Sequence, residues 1–176
     1  LGLGSGVTVV CAAIQLTDDY PAWQDEIAAL RAAGGAYVQI VHDLLPITLP
    51  DFFALGMRER FPDWLRVVAD EADLILTDSA ATRDDLLGWC DRDPATVEVL
   101  PLGCDPAPVA DRSPVAGRLL VVGTIEPRKA VGAVLDAVAE LRAGGHDLTL
   151  VLVGGKGWSD EGLFDRIDAA QARGWV

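Results

Sequence analysis

The amino-acid sequence predicts an α/β chain whose parallel sheets fall into two successive units. Short apolar, β-branched runs alternate with segments of helical period, the pattern of parallel strands joined by crossover helices. After residue 100 a stretch holding Pro101, Gly103, Pro106, Pro108 and Pro114 interrupts that alternation, as an interdomain linker does. Beyond it a fresh strand-helix series begins at Leu119.

The strands are expected at 7–13, 36–41, 74–77, 97–100, 119–122 and 148–153. Between them Trp23, Ile27 and Leu30 mark one helix face. Met57, Phe61, Trp64, Leu65 and Val68 mark a second at i, i+4, i+7, i+8 and i+11. Ser79 is placed to cap a third helix over 80–89. In the second series one helix carries Val131, Val134, Leu135, Val138 and Leu141, and another, capped by Ser159, carries Leu163, Phe164 and Ile167. The expected organisation is a first unit over 1–107, a linker over 108–117 and a second unit over 118–176. Gly174-Trp175-Val176 reads as a helix stop followed by the first residues of another strand, and two strands are too few to carry helices on both faces. With no initiator Met, the chain is expected to be a fragment in which both units are incomplete.

Composition removes several function classes. Fourteen Lys and Arg face 27 Asp and Glu, a formal charge of −13, so a protein that must neutralise nucleic-acid phosphates is not expected. The imbalance is local: residues 1–108 hold 18 acidic and six basic side chains, whereas 109–176 hold nine and eight. The second unit is therefore the better anion binder. Cys11, Cys90 and Cys104 are too few and too scattered for a disulfide framework or a zinc knuckle, and read as reduced packing residues. No run approaches the roughly 18 apolar residues of a membrane span, and no charged leader precedes residue 10. The Leu1-Gly2-Leu3-Gly4-Ser5-Gly6 start is glycine-rich but precedes its strand, where a dinucleotide fingerprint must follow one.

The sharpest candidate for chemistry is Val121-Val122-Gly123-Thr124-Ile125-Glu126-Pro127-Arg128-Lys129, between an expected buried strand and an amphipathic helix. Pro127 fits the first turn of that helix, which would set Arg128 and Lys129 beside its free amides. Cations oppose the helix dipole there unless an anion lies between, so the segment reads as a phosphate site. Lys156, the only other lysine, follows Gly154-Gly155 at the next strand's carboxyl end, the edge at which open parallel sheets bind ligands. The spacing is not that of a Walker loop. In the first unit His42 and Asp43 end a strand at the same kind of edge. His146 lies at the opposite edge and reads as structural, and no Cys/His cluster or nucleophile elbow is present.

With these segments in place the chain resembles the GT-B glycosyltransferases of family 4, especially the bacterial mannosyltransferase-like group of polysaccharide synthesis. The resemblance rests on His42-Asp43-Leu44-Leu45-Pro46, on Ala72-Asp73-Leu74-Ile75-Leu76-Thr77-Asp78-Ser79-Ala80-Ala81-Thr82, on Leu100-Pro101-Leu102-Gly103-Cys104-Asp105 and on Val122 to Lys129. The run from Leu150 to Trp158 extends it, and together these segments cover about residues 20–173.

The resemblance implies two Rossmann-like domains, acceptor-side then donor-side, with a cleft between them. There a hexosyltransferase would move a sugar from a nucleotide-diphosphate donor to a glycan or lipid-linked acceptor hydroxyl with retention. No metal or other cofactor would be needed. It implies that Lys129 and Arg128, with Lys156, hold the diphosphate, that Gly123 and Thr124 let the backbone approach it, and that His42 and Asp43 lie near the reacting groups. Asp91-Arg92-Asp93 matches the D-x-D pattern of metal-dependent sugar transferases but sits at the wrong sheet edge. A cytoplasmic protein is implied, with attachment to the inner membrane face open, since no basic amphipathic helix is seen.

Two departures matter. No two glutamates are separated by seven residues, the element that holds the donor sugar in this family, and no glycine-rich loop opens the first domain. The chain alone is accordingly expected not to turn over. The competing reading is a non-enzymatic α/β nucleotide- or phosphate-binding module in which His42 is incidental. An NAD-type oxidoreductase is disfavoured because no G-x-G-x-x-G follows a strand.

Overall fold

Four of the apolar runs form one parallel sheet in sequential order: β1 (Thr8–Cys11), β2 (Ala36–Val41), β3 (Leu74–Thr77) and β4 (Val97–Val99). In-register pairing sets Thr8 against Ala36, Val38 against Leu74 and Ile75 against Val97. The computed structural model describes residues 6–105, 114–158 and 162–176. Its two compact units are Leu1–Asp105 and Pro106–Val176. Most of the expected linker, 108–113, and residues 1–5 of the glycine-rich start lie outside the described residues.

In the first unit the crossovers are α1 (Tyr20–Ala32), α3 (Leu55–Glu71) and α4 (Ala80–Trp89), with a single-turn helix α2 (Leu45–Thr48) before α3. The apolar stripe read from the sequence is the buried face of α3: Phe61, Trp64, Leu65 and Val68 pack with Ile27, Tyr37, Val41, Ile75 and Leu86. Each such side chain contributes roughly 1.5–3 kcal/mol on leaving water. Two polar residues are fully buried in the sheet itself, Gln39 in β2 and Thr77 in β3, and Gln39 is the larger. It accepts from the Tyr37 hydroxyl at 2.6 Å and donates to the carbonyls of Ala13 and Ile40 at 3.2 and 2.9 Å. Those bonds remove the cost of burying the amide and tie the loop after β1 to the sheet.

The Asp91-Arg92-Asp93 segment is structural. The Arg92 guanidinium donates to the carbonyls of Ala69 and Ala72, which the end of α3 leaves without helical partners. Its Nε donates to Thr96 Oγ1 at 2.9 Å, and Asp93 Oδ1 accepts from Ala95 N at 2.9 Å. Burial pulls the Arg92 pKa below its ordinary value. Of the cysteines, Cys11 and Cys90 are half-buried, and burial pushes the Cys90 thiol up. Cys104 is exposed, which corrects its reading as a packing residue.

The second unit pairs β5 (Arg118–Val122) with β6 (Thr149–Val153) in parallel, Arg118 against Thr149 through Val122 against Val153. Helices α5 (Val131–Ala143) and α6 (Leu163–Ala172) cover one face, where Val131, Leu135, Val138, Leu150, Leu163, Ile167 and Trp175 form the core. The other face is open: Leu120 is 62% and Val122 68% exposed, so β5 is not the buried strand that its apolar composition suggested. Composition reports what a strand can bury, whereas burial depends on what lies against it. Similarly, α6 does not start from Ser159, which lies outside the described residues. It starts at Leu163 after Gly162, which has φ 99°. Trp175 is buried, and its carbonyl accepts from Leu150 N at 2.8 Å, seating the chain's last residues beside β6.

Candidate functional site

Each unit presents its candidate residues at the carboxyl ends of its parallel strands, where loop backbone is free to meet a ligand. In the second unit β5 and β6 run on as two paired loops. Gly123 N donates to Val153 O at 2.9 Å, Ile125 N to Gly155 O at 3.0 Å and Gly157 N to Ile125 O at 3.1 Å, and Ile125 bridges Lys156. Glycine makes this pairing possible. Gly154 has φ 156°, and a Cβ there would lie 2.0 Å from the Gly123 carbonyl oxygen. Gly123 itself has φ 138°. The segment bearing Arg128 and Lys129 and the segment bearing Lys156 are thereby held side by side.

Beyond Ile125 the structure departs from the expected helix start. Pro127–Lys129 is a separate 3₁₀ turn, and Ala130, at φ 50° and ψ 32°, breaks it from α5, which begins at Val131. Arg128 and Lys129 therefore do not occupy the first turn of α5. They precede it, on a turn that aims them independently of the helix. Ala130 is the one non-glycine with positive φ among the described residues, and an L-residue there costs about 1–2 kcal/mol. Ala130→Gly should stabilise the second unit by about 0.5–1 kcal/mol, less than the full strain because glycine has more freedom to lose on folding. Urea unfolding of the variant checks this, and a loss of stability would show that Ala130 is unstrained.

The three cations differ in their surroundings. Arg128 Nε lies 2.5 Å from Glu126 Oε1, an ion pair whose alignment falls short of a hydrogen bond. The Lys129 side chain lies over Gly123, its Cε 3.8 Å from where a Cβ there would stand. Lys156 Nζ sits 4.9 Å from the centre of the Phe164 ring, a cation–π contact that draws it toward α6. Thr124 is exposed beside Gly123.

In the first unit His42 follows β2 and is half-exposed, with Nδ1 3.3 Å from Asp78 Oδ2 at the end of β3. Thr82 Oγ1, in the first turn of α4, donates to the His42 carbonyl at 3.0 Å. The expected cap is present: Ser79 Oγ accepts from Thr82 N at 3.1 Å. Asp43 is engaged locally, its Oδ1 accepting from Leu45 N at 3.0 Å at the start of α2. Asp78 is the site residue that the sequence did not single out. It stands 36 positions from His42, and only the β2–β3 pairing brings the two together. His146 is exposed, between α5 and β6.

Among the described residues no three His, Cys, Asp or Glu side chains are grouped as metal ligands would be. Nor is any helix among them long and apolar enough to cross a membrane. Among the described residues, one concavity lies between α5 and α6 near Asp136, Arg166 and Trp175 and an apolar one lies beside β1 near Val9, Trp23 and Tyr37. Neither contains a candidate residue.

The chain has similar sequences and similar folds among known proteins, although no protein-family profile matches it. It is similar to the serotype-specific mannosyltransferase WbdA of Escherichia coli, 31% identical over 169 residues that take in 84% of this chain and 21% of that protein. It is also similar to the O-antigen chain mannosyltransferase B of Escherichia coli, 27% identical over 152 residues, 79% of this chain and 40% of that protein. Among solved structures TarM superposes with a TM-score of 0.64 at 8% identity, over 94% of this chain and 30% of that one. Anabaena HepE in complex with UDP superposes with a TM-score of 0.53 at 18% identity, over 93% and 44%.

The parallel α/β units have the GT-B fold of these solved structures, and the sequence is similar to one segment of the named mannosyltransferases. Its named sequence relatives are mannosyltransferases, and it spans about a fifth of the length of the first of them.

Proposed function

We propose that the chain is the part of a retaining, metal-independent mannosyltransferase that carries the donor-diphosphate segment and an acceptor-side histidine. Such an enzyme passes a sugar from a nucleotide diphosphate to an acceptor hydroxyl during polysaccharide synthesis. The observation that carries this reading is the pairing of the Gly123 and Gly154 loops, which sets Arg128, Lys129 and Lys156 on adjacent strand ends. Gly123 and Thr124 offer backbone close to the phosphates. Lys129 and Arg128 stabilise the charge that develops on the leaving diphosphate, a task preorganised cations can perform without a metal. His42 meets a sugar hydroxyl, and Asp43 shapes the turn that carries it. The solved HepE structures hold UDP and UDP-glucose, which supports a nucleotide-sugar donor. The reading places the protein in the cytoplasm, at the inner membrane face where the acceptor is lipid-linked.

By itself the chain binds donor without completing transfer, since it has no pair of glutamates separated by seven residues to hold the donor sugar. The test is a nuclear magnetic resonance titration of the labelled chain with UDP and GDP. We expect a dissociation constant on the order of 1 mM or tighter, about −4 kcal/mol, with amide shifts centred on residues 123–129 and 154–156. An undisturbed 123–129 segment at millimolar nucleotide would overturn the donor assignment. Robust transfer by this same chain would overturn its inactivity. Nucleotide binding without any response of the His42 ring to a short mannose oligosaccharide would favour the non-enzymatic phosphate-binding module.

A further inference from the structure

The contact between His42 and Asp78 specifies more than proximity. A carboxylate can only accept hydrogen bonds, so an imidazole nitrogen that faces one at 3.3 Å must present its hydrogen. In the neutral ring that places the hydrogen on Nδ1 and leaves Nε2 as a bare acceptor. Everything around the pair holds this arrangement in place. The His42 backbone is pinned by Thr82 Oγ1 at 3.0 Å, and Thr82 in turn is held by Ser79, whose Oγ lies 2.9 Å from the Thr82 hydroxyl. Thr77, one residue before Asp78, is fully buried in β3, its Oγ1 donating to the Ser79 carbonyl at 3.1 Å. Asp78 is the less exposed partner, 18% against 51% for the His42 side chain, and it stands just before the α4 cap, where the helix field favours negative charge. Asp43, the adjacent carboxylate, is occupied at Leu45 N. The half-exposed ring therefore has its orientation set from inside the protein and its outer nitrogen left for a ligand.

We infer that Asp78 is a positioning residue for His42: it fixes the Nδ1–H tautomer, so that Nε2 accepts a hydrogen bond from a hydroxyl donor and discriminates against ligands that offer only acceptors. This rests on the acceptor-side reading of His42 for the identity of the hydroxyl, a sugar hydroxyl, but not for the tautomer. Phosphates and carboxylates are excluded from Nε2 while the ring is neutral; alcohols are accepted.

The experiment is long-range 1H–15N correlation of the intact chain at about pH 8.5, roughly two units above an ordinary histidine pKa. His42→Gln identifies which of the two imidazoles is His42. The wild-type ring is expected predominantly in the Nδ1–H form. Asp78→Ala should move it to the Nε2–H form that a free imidazole prefers, and Asp78→Asn, which keeps an acceptor oxygen, should retain most of the Nδ1–H form. A wild-type ring already in the Nε2–H form, or a tautomer unmoved in Asp78→Ala, overturns the inference. That first measurement needs no variant to fold. Titration with a short mannose oligosaccharide then tests the hydroxyl. The Nε2 resonance should shift in the wild type and at least threefold less in Asp78→Ala at equal ligand. If the tautomer responds to Asp78 while the ring ignores the oligosaccharide, the positioning role stands and the acceptor reading of His42 fails.

Discussion

Gly154→Ala should unfold the paired loops at the end of β5 and β6 and with them abolish nucleotide binding. The added Cβ would stand 2.0 Å from the Gly123 carbonyl oxygen, closer than any side-chain atom can approach, and the obstacle is backbone that cannot swing away. At φ 156° an alanine is strained even without a neighbour. Strain of this kind costs on the order of 1–3 kcal/mol, and overpacking costs a similar amount, so a loss of about 2–4 kcal/mol from the second unit is expected. The chain offers a direct reporter. Of its five tryptophans, Trp158 and Trp175 lie in the second unit and Trp23, Trp64 and Trp89 in the first. Fluorotryptophan resonance spectra should show the first pair displaced and the other three unchanged. A variant with wild-type stability and undiminished nucleotide affinity would mean that the loop pairing is not what organises the cations.

The second large effect concerns charge alone. Lys129→Ala should weaken nucleoside-diphosphate binding by about 10- to 100-fold, roughly 1.4–2.7 kcal/mol and within the range of a charge-assisted hydrogen bond, while the second unit's unfolding midpoint stays within a degree or two of wild type. Lys129 is exposed, so nothing in the core depends on it. Its stem overlies Gly123, which places it closest to where a phosphate would meet the loop backbone. Lys156→Ala should cost less, about threefold, because its ammonium is held against Phe164. Calorimetric titrations at two salt concentrations separate the cases: the Lys129 contribution should shrink as salt screens it. Equal losses for the two lysines would argue for a diphosphate shared evenly between the two loops.

Strands were the most legible feature of the sequence, and the reason is physical. A run such as Leu74–Thr77 is apolar, β-branched and bounded by Asp73 and Asp78, so few other conformations satisfy it, and it is a strand at the same four residues. The stripe on α3 is likewise visible because its period is that of the helix which buries it. What failed to show depends on neighbours. Pro127-Arg128-Lys129-Ala130-Val131 reads as an ordinary helix start, since alanine favours helices, and only the structure reveals the left-handed break at Ala130. The open face of β5 was invisible for a related reason. Leu120 and Val122 have the composition of buried residues whether or not anything covers them. At the candidate site the residues from Gly123 to Lys129 stand out in the sequence because they are contiguous. Asp78 was not singled out because its significance exists only across a strand pair.

The two hydrophobic clusters share no residue: one draws on Ile27 through Val97, the other on Ile125 through Trp175. Each cluster is expected to give its own unfolding transition, and two resolved transitions in urea would check this. A nucleotide that binds only the second cluster's unit raises only that unit's transition, by RT ln(1 + [L]/Kd). The first transition then serves as an internal reference in the same tube, so affinity can be measured from the difference between the two, free of errors in concentration of protein or denaturant.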